Sequence, residues 1–387
     1  MKEIYLDNAA ATPVDQRVII VMAEAAKIIG NPSSFNDAGR RAQTELTRAR
    51  RTIARFLNAR GSEIIFCASG SEANNLAILG LAGKADARHR HLITTPIEHL
   101  SVLEPAKALG KRGWQVVYAS VDDWGRVKAE DVVAMIDKKT SLVSVMYANN
   151  EIGTIQDIAR IGRRIIAWRR ANRSPYPLFH IDACQTAGYL DMDVQRLGVD
   201  LLTFNGSKIH GPRGSAVLYV RRGVQLSPLV SGGSQEFGLR AGTENVPAAV
   251  GLARAVQLIK KGESEKTSRL RDYFLKKVLE TLPDVRVNGP LDDGRLANNI
   301  NISIPGADSE TLLLELDKYG IRAGSGSACT AHTVEPSHVL KAIGTPKKYL
   351  DGVLRFSLSR QTTKKEIDIL LKVLPDVVKK SRARTLK

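Results

Sequence analysis

The chain has 387 residues, 43% hydrophobic and 25% charged, which fits an ordinary globular protein long enough for two or three domains. No run approaches the roughly 18 apolar residues of a membrane span, and the opening "MKEIYLDNAAATPVD" lacks an apolar signal core, so neither a membrane location nor export is expected. The net charge of +17 admits RNA, anionic membranes or acidic proteins as partners; its basic residues are spread over many predicted helices without interleaved aromatics, so nucleic acid is not an expected partner.

In chain order, "GRRAQTELTRARRTIARF" reads as a helix. Its Ala42, Leu46, Ala49, Ile53 and Phe56 form an apolar stripe that leaves the arginines in water. Strands and helices then alternate. "SEIIFCA" precedes the helical "EANNLAILGLAG", "HLITTP" precedes "EHLSVLEPAKALGKRG", and "WQVVYASV" follows. "TSLVSVMYAN" leads into "NEIGTIQDIARIGRRIIAWRRA", and "LFHIDA" and "DLLTFNGS" come next. This alternation predicts an α/β fold with a mainly parallel sheet covered by helices on both faces. After about Gly262 the order changes to a charged helix, "NNINISIP", a helix from Ser309 to Tyr319, "GVLRFSLS" and a final helix, which reads as a smaller α+β unit.

Ligands of such sheets bind where strands end, and three strand ends carry chemistry. In "CASGSEANNLA" a turn of small residues opens a helix near Glu72, so the N–H groups of Gly70 and Ser71 face an anion; the alternative is an ordinary helix capped by Ser71. The pattern is neither Walker A nor G-x-G-x-x-G, so a nucleotide is not the implied anion. In "HIDACQTAG" Asp182 ends an apolar strand, where a carboxylate needs a partner such as the protonated nitrogen of a bound ring, with Gln185 placed to donate to an oxygen of that ring; a helix cap is the alternative. In "LLTFNGSKIHGPRG" Lys208 follows a strand and a tight turn, where a desolvated amine can form a Schiff base with an aldehyde. A lysine for an aldehyde, an anion nest at Gly70–Ser71 and Asn205–Ser207, and an acid for a ring nitrogen together point to pyridoxal 5'-phosphate. His99, in "PIEHLSV", is a candidate to stack on the ring and shuttle protons, against the alternative of a satisfied core histidine. His210 and His338 are expected near the site, His89 and His91 in loops.

The three cysteines, Cys67, Cys184 and Cys329, have no C-x-x-C or zinc-like spacing, which predicts a reducing cytoplasm and no resident metal. Cys67 and Cys184 lie beside strand ends, where packing is the expected role. Cys329 differs. It sits among small residues in "RAGSGSACTAHTVEPSH", a reactive thiol in a solvent-reachable loop or else an incidental surface cysteine.

Taken together, "YLDNAAATPVD", "GNPSS", "EHLSVLEP", "ANNEIGTIQDI", "HIDACQTAG", "SKIHGPRG", "RAGTENVP", "GSGSACT", "EPSHVL" and "RFSLSRQTT" resemble, in order, the cysteine desulfurases of the NifS/IscS type. The resemblance runs from Tyr5 to about Leu374. It implies a fold type I pyridoxal-phosphate enzyme of the class V aminotransferases, a homodimer with sites at the subunit interface. The implied division is a large cofactor-binding domain over residues 16–262 and a small domain of residues 1–15 and 263–387 carrying the Cys329 loop. By resemblance, Lys208 is the Schiff-base lysine, Asp182 the pyridinium partner and His99 the stacking acid/base. Asn150 and Gln185 hold the exocyclic ring oxygen, with Asn150 also on the substrate side. Gly70, Ser71, Asn205, Gly206 and Ser207 bind the phosphate, and Thr243 reaches the partner's phosphate. Arg355 clamps the substrate carboxylate, a bidentate task suited to guanidinium.

The implied reaction takes sulfur from L-cysteine, leaving L-alanine and a persulfide on Cys329. The sulfur then passes to an iron–sulfur scaffold or another acceptor, and Cys329 is also a candidate transient iron–sulfur ligand. The spacing from Cys329 to "EPSHVL" resembles the long-loop group of the family. Four features depart from it: Ser207 and Asn36 stand where histidines are usual, "CASGSE" replaces "TSGATE", and "ARTLK" lacks a longer scaffold-docking extension. These departures bear on cofactor affinity and partner choice. The rival readings are a selenocysteine lyase or related β-eliminating class V enzyme, which needs no acceptor thiol, and a non-catalytic basic scaffold or RNA-associated protein, which needs none of Lys208, His99, Asp182, Arg355 and Cys329.

Overall fold

A computed structural model describes residues 3–282, 284–326 and 336–385; Cys329 lies outside the described residues. The chain opens with a short strand, β1 (Ile4–Tyr5), and helices α1 (Gln16–Ala26) and α2 (Asp37–Phe56). As the apolar stripe predicts, Ala42, Leu46, Ala49 and Ile53 of α2 are buried. Asn36 caps this helix by accepting the Gly39 N–H at 2.9 Å.

Seven strands then form one sheet: β2 (Ile64–Cys67), β3 (His91–Thr94), β4 (Gln115–Tyr118), β5 (Thr140–Ser144), β6 (Leu178–Asp182), β7 (Leu201–Asn205) and β8 (Ala216–Val220), in the order β2-β8-β7-β6-β5-β3-β4. The interleaved helices are α3 (Gly70–Ala82), α4 (Leu100–Lys111), α5 (Ala129–Ala134), α6 (Ile158–Asn172), α7 (Val194–Leu197) and, after β8, α8 (Val246–Gln257). All neighbours are parallel except β8, which is antiparallel to both β2 and β7. The reason is the connection. Only residues 206–215 join β7 to β8, too few for the crossover that a parallel pair requires.

Alternate residues of the strands feed two cores. Val217 and Tyr219 pack with α2, α6 and α8 on one face, whereas Ala216, Leu218 and Val220 pack with α3 and α4 on the other. His91, expected in a loop, is buried in β3, with Nδ1 2.8 Å from the Thr140 hydroxyl. The preceding "ARHR" is polar up to the residue at which the strand begins, so nothing local marks His91 as buried.

The C-terminal third comprises α9 (Glu263–Thr281), β9 (Arg286–Val287), β10 (Asn299–Ser303), α10 (Ser309–Lys318), β11 (Ile321–Arg322), α11 (His338–Ala342), β12 (Val353–Ser357) and α12 (Lys364–Thr385). An antiparallel sheet β12-β10-β9 packs on these helices, and β1 pairs in parallel with β11, so Ile4 and Leu6 join this separate core. Among the described residues no helix is long and apolar enough to cross a membrane.

The connection from β3 to α4 buries a carboxyl. Glu98 Oε1 accepts from the Thr95 hydroxyl at 2.7 Å and from the Met146 N–H at 2.8 Å, while Oε2 has no partner among the described residues. Burial drives its pKa from the ordinary 4.5 up to about 8; the two hydrogen bonds oppose this and the Asp182 charge adds to it. Between those values the folded chain holds a proton that the unfolded chain has released. Stability present below pH 4.5 is therefore lost as pH rises toward and through about 8. Buried His180, depressed to about 4 by loss of solvation, works below its ordinary 6.5 and does not overlap the upper part of that window. Unfolding free energies from urea titrations between pH 6.5 and 8 should fall in the native chain by up to about 1.4 kcal/mol per pH unit, and Glu98→Gln should flatten that slope. An unchanged slope in the variant would exclude Glu98 as its source.

Candidate active site

The carboxyl ends of β2, β6 and β7 and the loops after β3 and β5 converge on one cavity of about 230 Å³. Gly70, Ser71, His99, Asn150, Asp182, Gln185, Asn205, Lys208 and Arg355, all singled out in the sequence, line it. Gly206, Ser207 and Thr243 do not line it.

At one end is the start of α3. The helix begins at Gly70, not near Glu72, and Ser69 rather than Ser71 is its cap, accepting the Glu72 N–H at 3.0 Å. Capping by Ser69 leaves Ser71 turned to the cavity at the positive end of the helix, where an anion is favoured. Gly70 is required by close approach, because a Cβ there would lie 2.7 Å from Cys184 Sγ and 3.0 Å from Asn205 Nδ2. Gly206 is required by packing, since its Cβ would meet the Ser215 hydroxyl at 2.4 Å. The Ser207 hydroxyl donates to Asn205 Oδ1 at 3.2 Å, and the Ser207 carbonyl accepts from the N–H and hydroxyl of Thr12. Asn36 takes no part here, being committed to its cap.

At the centre Asp182 ends β6. Its Oδ1 accepts the Cys184 N–H at 2.9 Å and its Oδ2 accepts from Asn74 Nδ2 at 2.7 Å. Lys208, in a short 3-10 turn after β7, donates from Nζ to the Ala10 carbonyl. Gln185 donates from Nε2 to the Ala9 carbonyl at 3.1 Å. His99 is the cap of α4, its Nδ1 accepting the Ser101 N–H at 3.1 Å.

Arg355 closes the far side from β12. It is buried, its Nη2 2.9 Å from Asp7 Oδ1 and its Nη1 donating to the Asn150 carbonyl at 3.2 Å, and its Nε has no partner among the described residues. A buried guanidinium with an unused N–H at a cavity wall fits a carboxylate.

The structure also supplies residues not marked as site residues in the sequence: Ser69, Ser101, Met146 and Cys184 line the cavity. Cys184 thus belongs to the site rather than to packing alone. Burial, and next the Asp182 charge, push its thiol well up, so it stays protonated. His338 and His210 lie outside the lining; His338 Nε2 is 2.9 Å from the Glu98 carbonyl and His210 Nδ1 2.9 Å from the Pro13 carbonyl. The arrangement can hold an anion at α3, a protonated ring nitrogen at Asp182, an aldehyde carbon at Lys208 and a carboxylate at Arg355.

The aminotransferase class-V family profile matches residues 4–370. "Cysteine desulfurase IscS" of Dictyoglomus turgidum is 42% identical over 386 residues, covering 98% of this chain and 96% of that protein. A solved "NifS-like protein" superimposes with a TM-score of 0.90 at 35% identity, covering 98% of this chain and 100% of the other. A structure described as SspA in complex with cysteine aligns at a TM-score of 0.81 and 33% identity, covering 94% and 100%. The chain therefore belongs to the class V aminotransferase family, among its cysteine desulfurases.

Proposed function

We propose that the cavity binds pyridoxal 5'-phosphate and that the chain takes sulfur from L-cysteine, yielding L-alanine and a persulfide on Cys329. The observation that carries this reading is the convergence of Lys208, Asp182, the start of α3 and Arg355 on one cavity. Three features fit the cofactor. Gly70 leaves a cradle that a side chain would fill, Asp182 is a buried acid at the end of β6, and Ser71 stands at a helix N-terminus. Lys208 would hold the aldehyde carbon and Asp182 the ring nitrogen. Gly70, Ser71 and Asn205 would surround the phosphate, with Gly206 and Ser207 behind them in the lysine turn, and Asn150 and Gln185 the exocyclic oxygen.

When bound, the cofactor supplies an electron sink for charge developing on the substrate α-carbon. The remaining work falls to the chain. Arg355, held by Asp7 and the Asn150 carbonyl, orients the substrate carboxylate. Lys208 Nζ would take the α-proton, and His99, lining the same cavity, would carry protons there. Cys329 attacks as a thiolate, about 3% of an unperturbed thiol at neutral pH, so local deprotonation is needed. The new S–S bond forms as the substrate C–S bond breaks, the electron pair stays with carbon, and a proton completes alanine.

The sulfur goes to an iron–sulfur scaffold or another sulfur acceptor, a reading supported by the 42% identity to a cysteine desulfurase IscS. A cytoplasmic location is supported by the unpaired thiols of Cys67 and Cys184. The division into a large domain, residues 16–262, and a small one, 1–15 with 263–387, is supported by the separate cores. A homodimer in which Thr243 reaches the partner's phosphate is supported by exposed Ile29, Phe35, Leu229, Val230 and Phe237.

Three experiments test this reading. The purified protein should be yellow, with a borohydride-reducible linkage that Lys208→Ala abolishes; a linkage surviving at another lysine would defeat the assignment. Cys329→Ser should bind pyridoxal phosphate and L-cysteine, form no persulfide and release almost no sulfide under added thiol, and normal turnover would make the protein a lyase instead. Sedimentation should find a dimer whose dissociation releases cofactor, and Thr243→Ala should weaken cofactor binding by roughly tenfold, the loss of a hydrogen bond to a charged group. A fully loaded, active monomer would contradict the shared site.

A further inference from the structure

The acid beneath the cavity and the histidine above it are joined by two side chains to which the reaction as described gives no role. Asn74, fully buried in α3, spends both amide protons of Nδ2, one on Asp182 Oδ2 at 2.7 Å and one on Ser101 Oγ at 2.8 Å. The opposite amide orientation would turn Asn74 Oδ1 onto the Asp182 carboxylate, oxygen against oxygen, so the donor end is fixed. Ser101 Oγ, receiving that proton, lies 2.8 Å from His99 Nδ1, and the same nitrogen accepts the Ser101 backbone N–H at 3.1 Å. Nδ1 is thereby an acceptor, and the Ser101 hydroxyl proton has His99 as its nearest recipient. A neutral imidazole with Nδ1 as acceptor carries its proton on Nε2. His99, Ser101 and Asp182 line the same cavity.

We propose that Asn74 and Ser101 are positioning residues of this site, a two-residue relay that fixes His99 as the Nε2–H tautomer and holds Asp182 in register with it. Local structure supports the assignment at both ends. His99 occupies a helix cap, a position normally held by serine, threonine, aspartate or asparagine because it needs an acceptor, and Nδ1 supplies that acceptor only while unprotonated. Asp182 has Cys184 N–H on one oxygen and Asn74 on the other, so its carboxylate plane is set from two directions. The relay makes the Nε2–H of neutral His99 a fixed hydrogen-bond donor, the electrophilic use of a neutral imidazole, and His99 gives up a proton as an acid only once Nδ1 has been protonated. It also means that the two groups cannot be reoriented independently.

The proposal rests on the cofactor reading for its catalytic meaning, but the tautomer does not, and the test separates them. Nitrogen-15 histidine spectra of the full-length chain, with His99 assigned by its loss in His99→Gln, should show neutral His99 unprotonated at Nδ1 and protonated at Nε2, before and after addition of pyridoxal phosphate. A proton on Nδ1 would overturn the relay whatever the cofactor does. In the loaded enzyme Ser101→Ala should lower kcat for alanine formation roughly tenfold, the value of one hydrogen bond in a positioned network, while KM for L-cysteine and the affinity for pyridoxal phosphate stay within about twofold. Ser101→Thr, which keeps the hydroxyl, should recover most of the loss, and Asn74→Ala combined with Ser101→Ala should cost less than the product of the single effects. A native kcat in Ser101→Ala, or strictly multiplicative losses, would reduce both residues to packing. Failure of the native chain to form a reducible linkage at Lys208 would defeat the cofactor reading while leaving the spectra to decide the tautomer.

Discussion

A single ion pair between residues 348 positions apart, Arg355 and Asp7, underlies the assembly of the site. A guanidinium buried in β12 is costly unless its charge is compensated, and Asp7 supplies the compensation from the opposite end of the chain. The neighbouring residues of that N-terminal segment extend the contact. Asn8 donates to the Ser357 carbonyl, Ala9 N–H donates to the Ser357 hydroxyl, the Ala10 carbonyl receives Lys208, and Thr12 binds the Ser207 carbonyl. Residues 7–12 thus form a strap with one edge on the small antiparallel sheet and the other on the lysine turn. The Arg355 and Lys208 sides are held at one spacing by backbone rather than by long side chains, which limits the freedom that would blur the geometry of a reaction between them.

The electrostatics follow from where that strap and the parallel strands place charge. Lys208, Arg355 and the positive end of α3 face a cavity that holds Asp182 as its nearest acid. A second carboxylate close by would weaken the attraction for an anion and compete with Asp182 for a ring cation. Glu98 is such a carboxyl, next in sequence to His99, and burial keeps it neutral at physiological pH. Its carbonyl meets His338, the first residue of α11, so the same short segment also ties the start of that helix to the site.

Much of this was legible in the sequence where the governing interactions are local. The stripe from Ala42 to Phe56, the βαβ alternation, and the placing of Asp182, Lys208 and His99 at strand ends all follow from periodicity and turn chemistry. The antiparallel β8 was not read because "AVLYV" is apolar on every residue, as a strand buried on both faces must be, and nothing in its composition sets its direction. Ser69 and Ser71 are equally good caps on paper; the backbone path selects Ser69. Asn74 and Ser101 escaped notice because their significance is a distance across the fold, 27 positions from Asn74 to Ser101 and 108 from Asn74 to Asp182. The position of Cys329, the most conspicuous residue of the sequence reading, lies outside the described residues.

The two positions where this chain lacks the histidines usual in desulfurases have different physical consequences. Asn36 has taken up a structural duty, holding the first turn of α2 by a cap that a histidine makes less well. Ser207 remains beside the site, but its hydroxyl is turned to Asn205 Oδ1, and its carbonyl is occupied by Thr12. With the Ser207 hydroxyl donating to Oδ1, Nδ2 lies at the end nearer Gly70, 3.0 Å from where a Cβ there would lie. A short side chain at position 207 therefore acts on the anion-binding end of the cavity through Asn205, orienting a donor instead of providing a ring nitrogen of its own.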